Sequence, residues 1–196
     1  MSAEQNNFQQ IAEATKGVVT PANAIDAGAF ALAAKFVPKL DSWRGIAAVA
    51  VSYASDVIDG KVARATGTSN ELGAAVDAVG DKIKTTYAAY HIAKMNLASK
   101  PLLAAVALQN VANAGATVYD SLVNDKSKVD VSKAGKYSTF SNSLGIGLQV
   151  IGTELEKNDP QRARNARVAG AVVGWGGLAV FGVRATRDYW RQARSN

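Results

Sequence analysis

Runs of alanine, glycine and aliphatic residues alternate along this chain with short polar clusters. Three stretches, 101–119, 137–153 and 168–183, carry no charge over 19, 17 and 16 residues. Three more apolar stretches are interrupted by charged residues. Turn and helix-start signals then divide the chain. Thr20-Pro21 opens a first helix over about 22–38, and Pro38-Lys39-Leu40-Asp41-Ser42 makes a tight connection to a second over about 42–65. Ala65 to Asn70 has turn composition, with Ser69 or Asn70 as the N-cap of a third helix over about 70–98. Pro101 opens a fourth that ends near 122, a polar loop fills 124–136, and a fifth helix spans 137–157. Asn158-Asp159-Pro160 breaks the chain before a sixth helix over 161–194. Ahead of them all, Phe8, Ile11 and Ala12 recur at helical spacing among polar residues. Residues 1–18 therefore read as a short amphipathic helix at an interface, retained because a signal peptide's basic start and long apolar run are lacking.

The bulk numbers narrow this. At 196 residues the chain is one domain's worth, with room for about six helices, and neither repeat nor second domain is evident. Cysteine is absent, which excludes disulfides, thiolate metal ligands and a cysteine nucleophile. A mean hydropathy of −0.02 looks soluble, but alanine and glycine lower that score while letting membrane helices approach closely. The net charge of +6 raises nucleic acid as a partner. Yet the basic residues collect at segment ends rather than in one aromatic-interleaved patch, which suits anionic lipid and gives no nucleic-acid surface.

The most informative stretch runs from Asp56 to Asp81 and has the form D-x2-D-G-x2-A-R-x8-G-x3-D-x3-D. Asp56, Asp59 or Gly60, and Ala63 share one face of the second helix; Gly73, Asp77 and Asp81 share a face of the third. A hairpin at 65–70 would bring the two acidic faces together. Four carboxylates at close range repel unless cations lie between them, and hard oxygen ligands suit Mg²⁺ or Mn²⁺.

This pattern resembles the signature of the CDP-alcohol phosphotransferase family, integral membrane enzymes of phospholipid synthesis. All eight signature positions are present with the right gaps. The resemblance implies an all-α polytopic membrane protein: a six-helix transmembrane bundle in 19–196 behind the interfacial helix. It implies divalent-metal-dependent transfer of a phosphatidyl group from CDP-diacylglycerol to an acceptor alcohol, with release of CMP. Asp56, Asp59, Asp77 and Asp81 match the ligands of a two-metal site, and Asp81 also matches the general base. Gly60 and Gly73 would let backbone approach the cytidine diphosphate, and Arg64 would offer a fork to phosphate oxygens. With Ala63 and Asn70 they form the implied nucleotide and CDP-lipid contacts. Asn23 joins them because Thr20-Pro21-Ala22-Asn23-Ala24-Ile25-Asp26 resembles the family's T-P-N-x-(I/L)-T element with one extra residue.

Gly135-Lys136-Tyr137-Ser138-Thr139 resembles a G-K-x-x-T element that opens the family's fifth helix, where phosphorylated acceptors are held. Lys136 fits that role first, followed by Lys133, Arg184 and Arg187. The arginine-containing end of the fourth helix found in inositol-phosphate-using members is replaced by Thr117-Val118-Tyr119-Asp120-Ser121. Glycerol 3-phosphate is therefore the favoured acceptor, with inositol phosphate or another alcohol as the alternative.

Plainer readings stand beside these. Lys61, Arg64 and Lys136 also satisfy the positive-inside rule. That rule favours both termini and the acidic hinge facing the cytoplasm, although Lys157, Arg162, Arg164 and Arg167 run against it. His91 reads as a packing or interface residue, Trp43 and Trp190 as interface anchors, and Trp175 as a packed residue. Gly170, Gly174, Gly176 and Gly177 give small-x3-small spacings suited to helix packing or a homodimer contact. Two other classes remain in view: a catalytically idle lipid-binding or assembly relative, and a soluble basic nucleic-acid binder.

Overall fold

The computed structural model describes residues 3–15, 19–68, 71–123 and 132–194; within its helices, the side chains of 3–6, 56, 57, 60, 71–82 and 120–123 lie outside the description. The described chain is helical, with no strand among the described residues. Helix α1 covers Ala3–Ala14, α2 Pro21–Phe36, α3 Trp43–Thr66 and α4 Glu71–Lys94. Helices α5 (Lys100–Val123), α6 (Lys133–Leu155), α7 (Pro160–Gly177) and α8 (Val183–Arg194) follow. A 3-10 turn, Val37–Lys39, follows α2, and a π-helical turn, Leu178–Gly182, joins α7 to α8 without a break. Two compact units result, Met1–Ile92 and Ala93–Asn196.

Local chemistry explains where the helices start and stop, and where the expected limits move. The Thr20 hydroxyl accepts the Asn23 N–H at 3.0 Å, so α2 begins on Pro21 at its first position. It ends at Phe36, short of 38, because Pro38 has no N–H to continue the ladder. Ser42 caps α3 through the Gly45 N–H at 3.2 Å. Helix α4 stops at Lys94 rather than 98 because Asn96 takes a left-handed φ of 55°, which asparagine tolerates better than most residues. Helix α6 starts four residues before the expected 137. The Ser132 hydroxyl accepts the Gly135 N–H at 3.0 Å, drawing Lys133 and Lys136 out of the expected loop and into the helix. Asp159 caps α7 through the Arg162 N–H at 3.0 Å, with Pro160 in the first turn.

Within Met1–Ile92, α2 is the common partner. It carries Ala22, Ala29 and Ala33, all buried, and packs on α3. The Ser52 hydroxyl of α3, 1% exposed, donates to the Ala29 carbonyl at 2.7 Å. From α4, Lys84 donates to Asp26 at 3.1 Å, and the Tyr87 hydroxyl reaches the Ala34 carbonyl at 3.4 Å. His91 stacks edge-on with Tyr87 and Tyr90, the packing role its sequence context suggests. Helix α1 touches α3, and the expected apolar stripe divides: Ala12 is buried and Phe8 half-buried, while Ile11 stays exposed.

Within Ala93–Asn196, α6 and α7 pack antiparallel at backbone range. A Cβ on Gly145 would lie 2.6 Å from the Gly174 Cα, and one on Gly170 would lie 2.5 Å from the Gly145 carbonyl oxygen. A Cβ on Gly174 would meet Leu102 of α5 at 2.6 Å. A polar cluster completes the packing: the Gln109 amide donates to Ser138 at 2.9 Å, and the Asn142 amide donates to the Gln109 carbonyl oxygen at 3.2 Å. Ser138 and Asn142 are both buried. Trp175, expected to pack, is instead 42% exposed, since α7 turns its glycines inward and its bulky residues out.

Among the described residues two helical stretches are long and apolar enough to cross a membrane, Lys100–Tyr119 and Pro160–Arg194. The other four expected spans fail that test. Helix α2 is only 16 residues long, α3 and α4 carry the charges of the acidic stretch, and α6 is made too polar by its serines, Asn142 and Gln149. The two that pass are mostly uncovered by their own fold. Leu108, Val111 and Val118 make one exposed stripe on α5, and Val168, Val172, Trp175 and Val183 make another along α7 and α8. Exposed aliphatic stripes of this length suit lipid better than water.

The glycine packing gives a direct test. Gly170→Ala is expected to destabilise the protein by about 1–3 kcal/mol, because the new Cβ meets a carbonyl oxygen that cannot move alone. Gly176→Ala, with nothing within 4 Å of its Cβ, is expected to be neutral or to gain up to about 1 kcal/mol. Thermal unfolding of the two variants in detergent compares them.

Candidate active site

The acidic stretch spans the C-terminal half of α3 and the N-terminal half of α4. Helix α3 is unbroken from Trp43 to Thr66, so Asp56, Asp59 and Ala63 keep the helical register read from the sequence. Asp59 is buried, 5% exposed; Ala63 is half-buried, and Lys61 and Arg64 are exposed. A carboxylate this deep in a helical unit is costly without a cation or hydrogen-bond donors beside it. Helix α4 is likewise continuous through Gly73, Asp77 and Asp81. The side chains of Asp56, Asp77 and Asp81, together with Gly60, Gly73 and Asn70, lie outside the described residues, as does the expected N-cap at Ser69 or Asn70.

The end of α3 is firmly closed. Gly67 adopts a left-handed φ of 68°, and the Thr68 N–H reaches back to the Ala63 carbonyl at 3.0 Å. The hydroxyls of Thr66 and Thr68 bond at 2.9 Å, and Thr66 also donates to the Val62 carbonyl at 2.8 Å. Thr68 is buried. The chain thus leaves α3 in one direction directly after Arg64, and the Gln9 side chain of α1 lies against Gly67.

Three elements that carry candidate site residues meet through α2. Asn23, half-buried, sits in its first turn. Ser52–Ala29 fastens α2 to the helix of Asp59, and Lys84–Asp26 fastens it to the helix of Asp77 and Asp81. Sequence reasoning missed this ion pair. Its only signal was Lys84 continuing the Gly73-Asp77-Asp81 register one turn on, a lysine where an apolar residue was due.

The acceptor-site candidates belong to the other unit. Lys133 and Lys136 are exposed in the first turn of α6, whose free N–H groups and dipole favour an anion. Tyr137 stacks with Phe181 at 5.5 Å between centroids, so this end of α6 adjoins the π-helical turn just before Arg184, which is exposed. Arg187 lines a basic recess of about 360 Å³ with Trp190, Arg191 and Arg194.

No group of three or more His, Asp or Glu side chains gathers closely enough for a metal ion among the described residues. The donor chemistry of the acidic stretch nevertheless fits a hard divalent cation: carboxylate oxygens only, in a chain without cysteine. A groove of about 650 Å³ along α7, lined by Gln161, Arg164, Asn165 and four aliphatic residues, has no carboxylate and offers no such site.

A sequence profile of the family described as CDP-alcohol phosphatidyltransferase matches residues 18–182. Comparison with curated proteins and with solved structures gave no significant match.

The α3 exit can be tested alone. Gly67→Ala places a Cβ in the left-handed region and against Gln9, and is expected to cost about 1–2 kcal/mol. Gly28→Ala, in open space on α2, is expected to leave the melting temperature within a few degrees of wild type (a few tenths of a kcal/mol).

Proposed function

Since the chain belongs to the CDP-alcohol phosphatidyltransferase family, we propose that it transfers a phosphatidyl group from CDP-diacylglycerol to glycerol 3-phosphate and releases CMP. The family's chemistry is transfer of a phosphatidyl group from a CDP-alcohol to an acceptor alcohol, and its members are generally membrane-integral. The complete acid signature, Asp56 to Asp81, on two consecutive helices with Asp59 buried carries the reaction class, and the Gly135-Lys136 element supports the phosphorylated acceptor.

In this reading residues 19–196 form one multi-pass catalytic domain of six spans, behind the interfacial helix 1–18. The protein is a homodimer in the cytoplasmic membrane, with its acidic pocket open to the cytosol. Asp56, Asp59, Asp77 and Asp81 hold two Mg²⁺ or Mn²⁺ ions, which supply charge stabilisation to the diphosphate when bound. Asn23, Ala63, Asn70 and the backbone at Gly60 and Gly73 receive the cytidine end of the CDP-lipid. The Arg64 guanidinium forks onto phosphate oxygens. Lys136, assisted by Lys133 and Arg184, grips the acceptor's phosphate. Asp81 accepts the hydroxyl proton as the new O–P bond forms and the bond to CMP breaks. The electron pair leaves with CMP.

Incubating detergent-purified protein with CDP-diacylglycerol and a panel of acceptors tests the assignment. CMP should appear with glycerol 3-phosphate in preference to inositol 1-phosphate, inositol or serine. It should stop with chelator and return with Mg²⁺ or Mn²⁺. Asp81→Asn should slow CMP release about 10²–10⁴-fold. Equal, slow release from wild type and Asp81→Asn would leave only the idle lipid-binding relative standing. Lys136→Ala should raise the KM for glycerol 3-phosphate about 10–100-fold, the worth of one charge-assisted contact, with little change in the KM for CDP-diacylglycerol.

A further inference from the structure

Asp26 and Lys84 lie outside the acid signature, yet they form an ion pair whose lysine is deeply buried. Their charged atoms stand 3.1 Å apart, with side-chain exposures of 16% and 2%. Asp26 is one turn past Asn23 on α2, and Lys84 is one turn past Asp81 on α4. In the element that Thr20-Pro21 opens, Asp26 occupies the place where a threonine is expected.

The cost of such a pair argues for a purpose. Burying two charges removes both from water, and an apolar pair of similar volume is often as stable or more so. Where an ionic pair is kept, its advantage over apolar packing is directional: it fixes which helix faces which, and in what register. That matters more than usual here. The hydrophobic effect does not drive one lipid-exposed helix onto another. The α2 face offers mostly alanines, which permit many sliding registers. A second α2–α4 bond among the described residues, Tyr87 to the Ala34 carbonyl, is long at 3.4 Å and lies about two turns further along α2.

We propose that Lys84 and Asp26 are positioning residues: their ion pair sets the register between the helix carrying Asn23 and the helix carrying Asp77 and Asp81. Resting on the transferase reading above, this makes the pair the strut that holds the nucleotide-binding turn opposite the metal-binding carboxylates. In this proposal both residues act through geometry, the Lys84 ammonium being held on the Asp26 carboxylate.

The test separates geometry from charge and from the activity assignment. Asp26→Asn, Lys84→Met and the charge-swapped double variant Asp26→Lys/Lys84→Asp are prepared in detergent beside wild type. Because the chain has no cysteine, cysteines placed at the exposed Ala31 and Thr86 can carry the only spin labels, which report the α2–α4 distance distribution. Wild type should give one narrow distribution, each single variant a broadened or shifted one, and the swap should restore the narrow form. CMP release should follow the same order. Each single variant should lose about 100-fold in kcat/KM, the usual penalty for a misplacement of an ångström or so. Most of that loss should fall on the KM for CDP-diacylglycerol, and the swap should recover to within about fivefold of wild type.

Unchanged distances and kinetics in both single variants would overturn the proposal. So would a folded charge swap whose distances stay as broad as those of the single variants. A swap that restores the distances but not CMP release would make Lys84 a direct participant through its charge, which also overturns the positioning role. Should wild type release no CMP with any acceptor, the transferase reading fails by itself, and the distance measurements still decide whether the strut exists.

Discussion

Backbone contact between helices, with no Cβ between them, is the constraint on which the Ala93–Asn196 unit depends. A single carbon added at Gly145 or Gly170 would collide with a carbonyl or an α-carbon of the facing helix, and one at Gly174 would collide with Leu102. Lipid tails are as apolar as leucine, so a membrane helix gains little from hiding leucine against a neighbour. Dispersion at close range and hydrogen bonds must hold such helices together. Both are present: glycines close the gap between α6 and α7, and the Gln109, Ser138 and Asn142 side chains bond across to one another in the interior. The bulky residues of α7 are displaced outward, which explains why Trp175 is exposed.

The Met1–Ile92 unit holds its helices together with alanine and with charge. Ala22, Ala29 and Ala33 bring α2 close to α3, and the Ser52 hydroxyl closes onto the Ala29 carbonyl. Lys84 and Asp26 then fasten α4. An acidic pocket needs such fastening more than an apolar one does. On the mildest scale each carboxylate facing lipid costs roughly 2.5–3.5 kcal/mol. In the proposed pocket the acids of α3 and α4 repel one another until cations arrive, and the α2 contacts hold their helices in place beforehand. The left-handed exit at Gly67, with its threonine hydroxyls, serves the same end by fixing where α3 stops relative to Arg64.

Much of this was legible in the residues. The helical class, the breaks at Pro38 and Pro160, and the family itself followed from apolar runs, turn residues and the D-x2-D-G-x2-A-R signature. Helix ends were less legible where a cap lay outside the apolar run. Ser132 starts α6 early, and Asn96 stops α4 early, through single hydrogen bonds or one backbone angle that periodicity does not encode. Of the six apolar stretches read from the sequence, two qualify as spans by length and composition among the described residues.

What the sequence determined alone was local or combinatorial: which segments coil into helices, because propensity and capping act over a few residues, and which family the acids announce, because their spacing is a code along the chain. What only the tertiary structure decided was pairing. Nothing in the order of residues says that Lys84 answers Asp26 across 58 positions, or that Gly145 meets Gly170 and Gly174. Those choices follow from which faces can approach without collision, and that becomes defined only when all the helices of a unit compete for the same space.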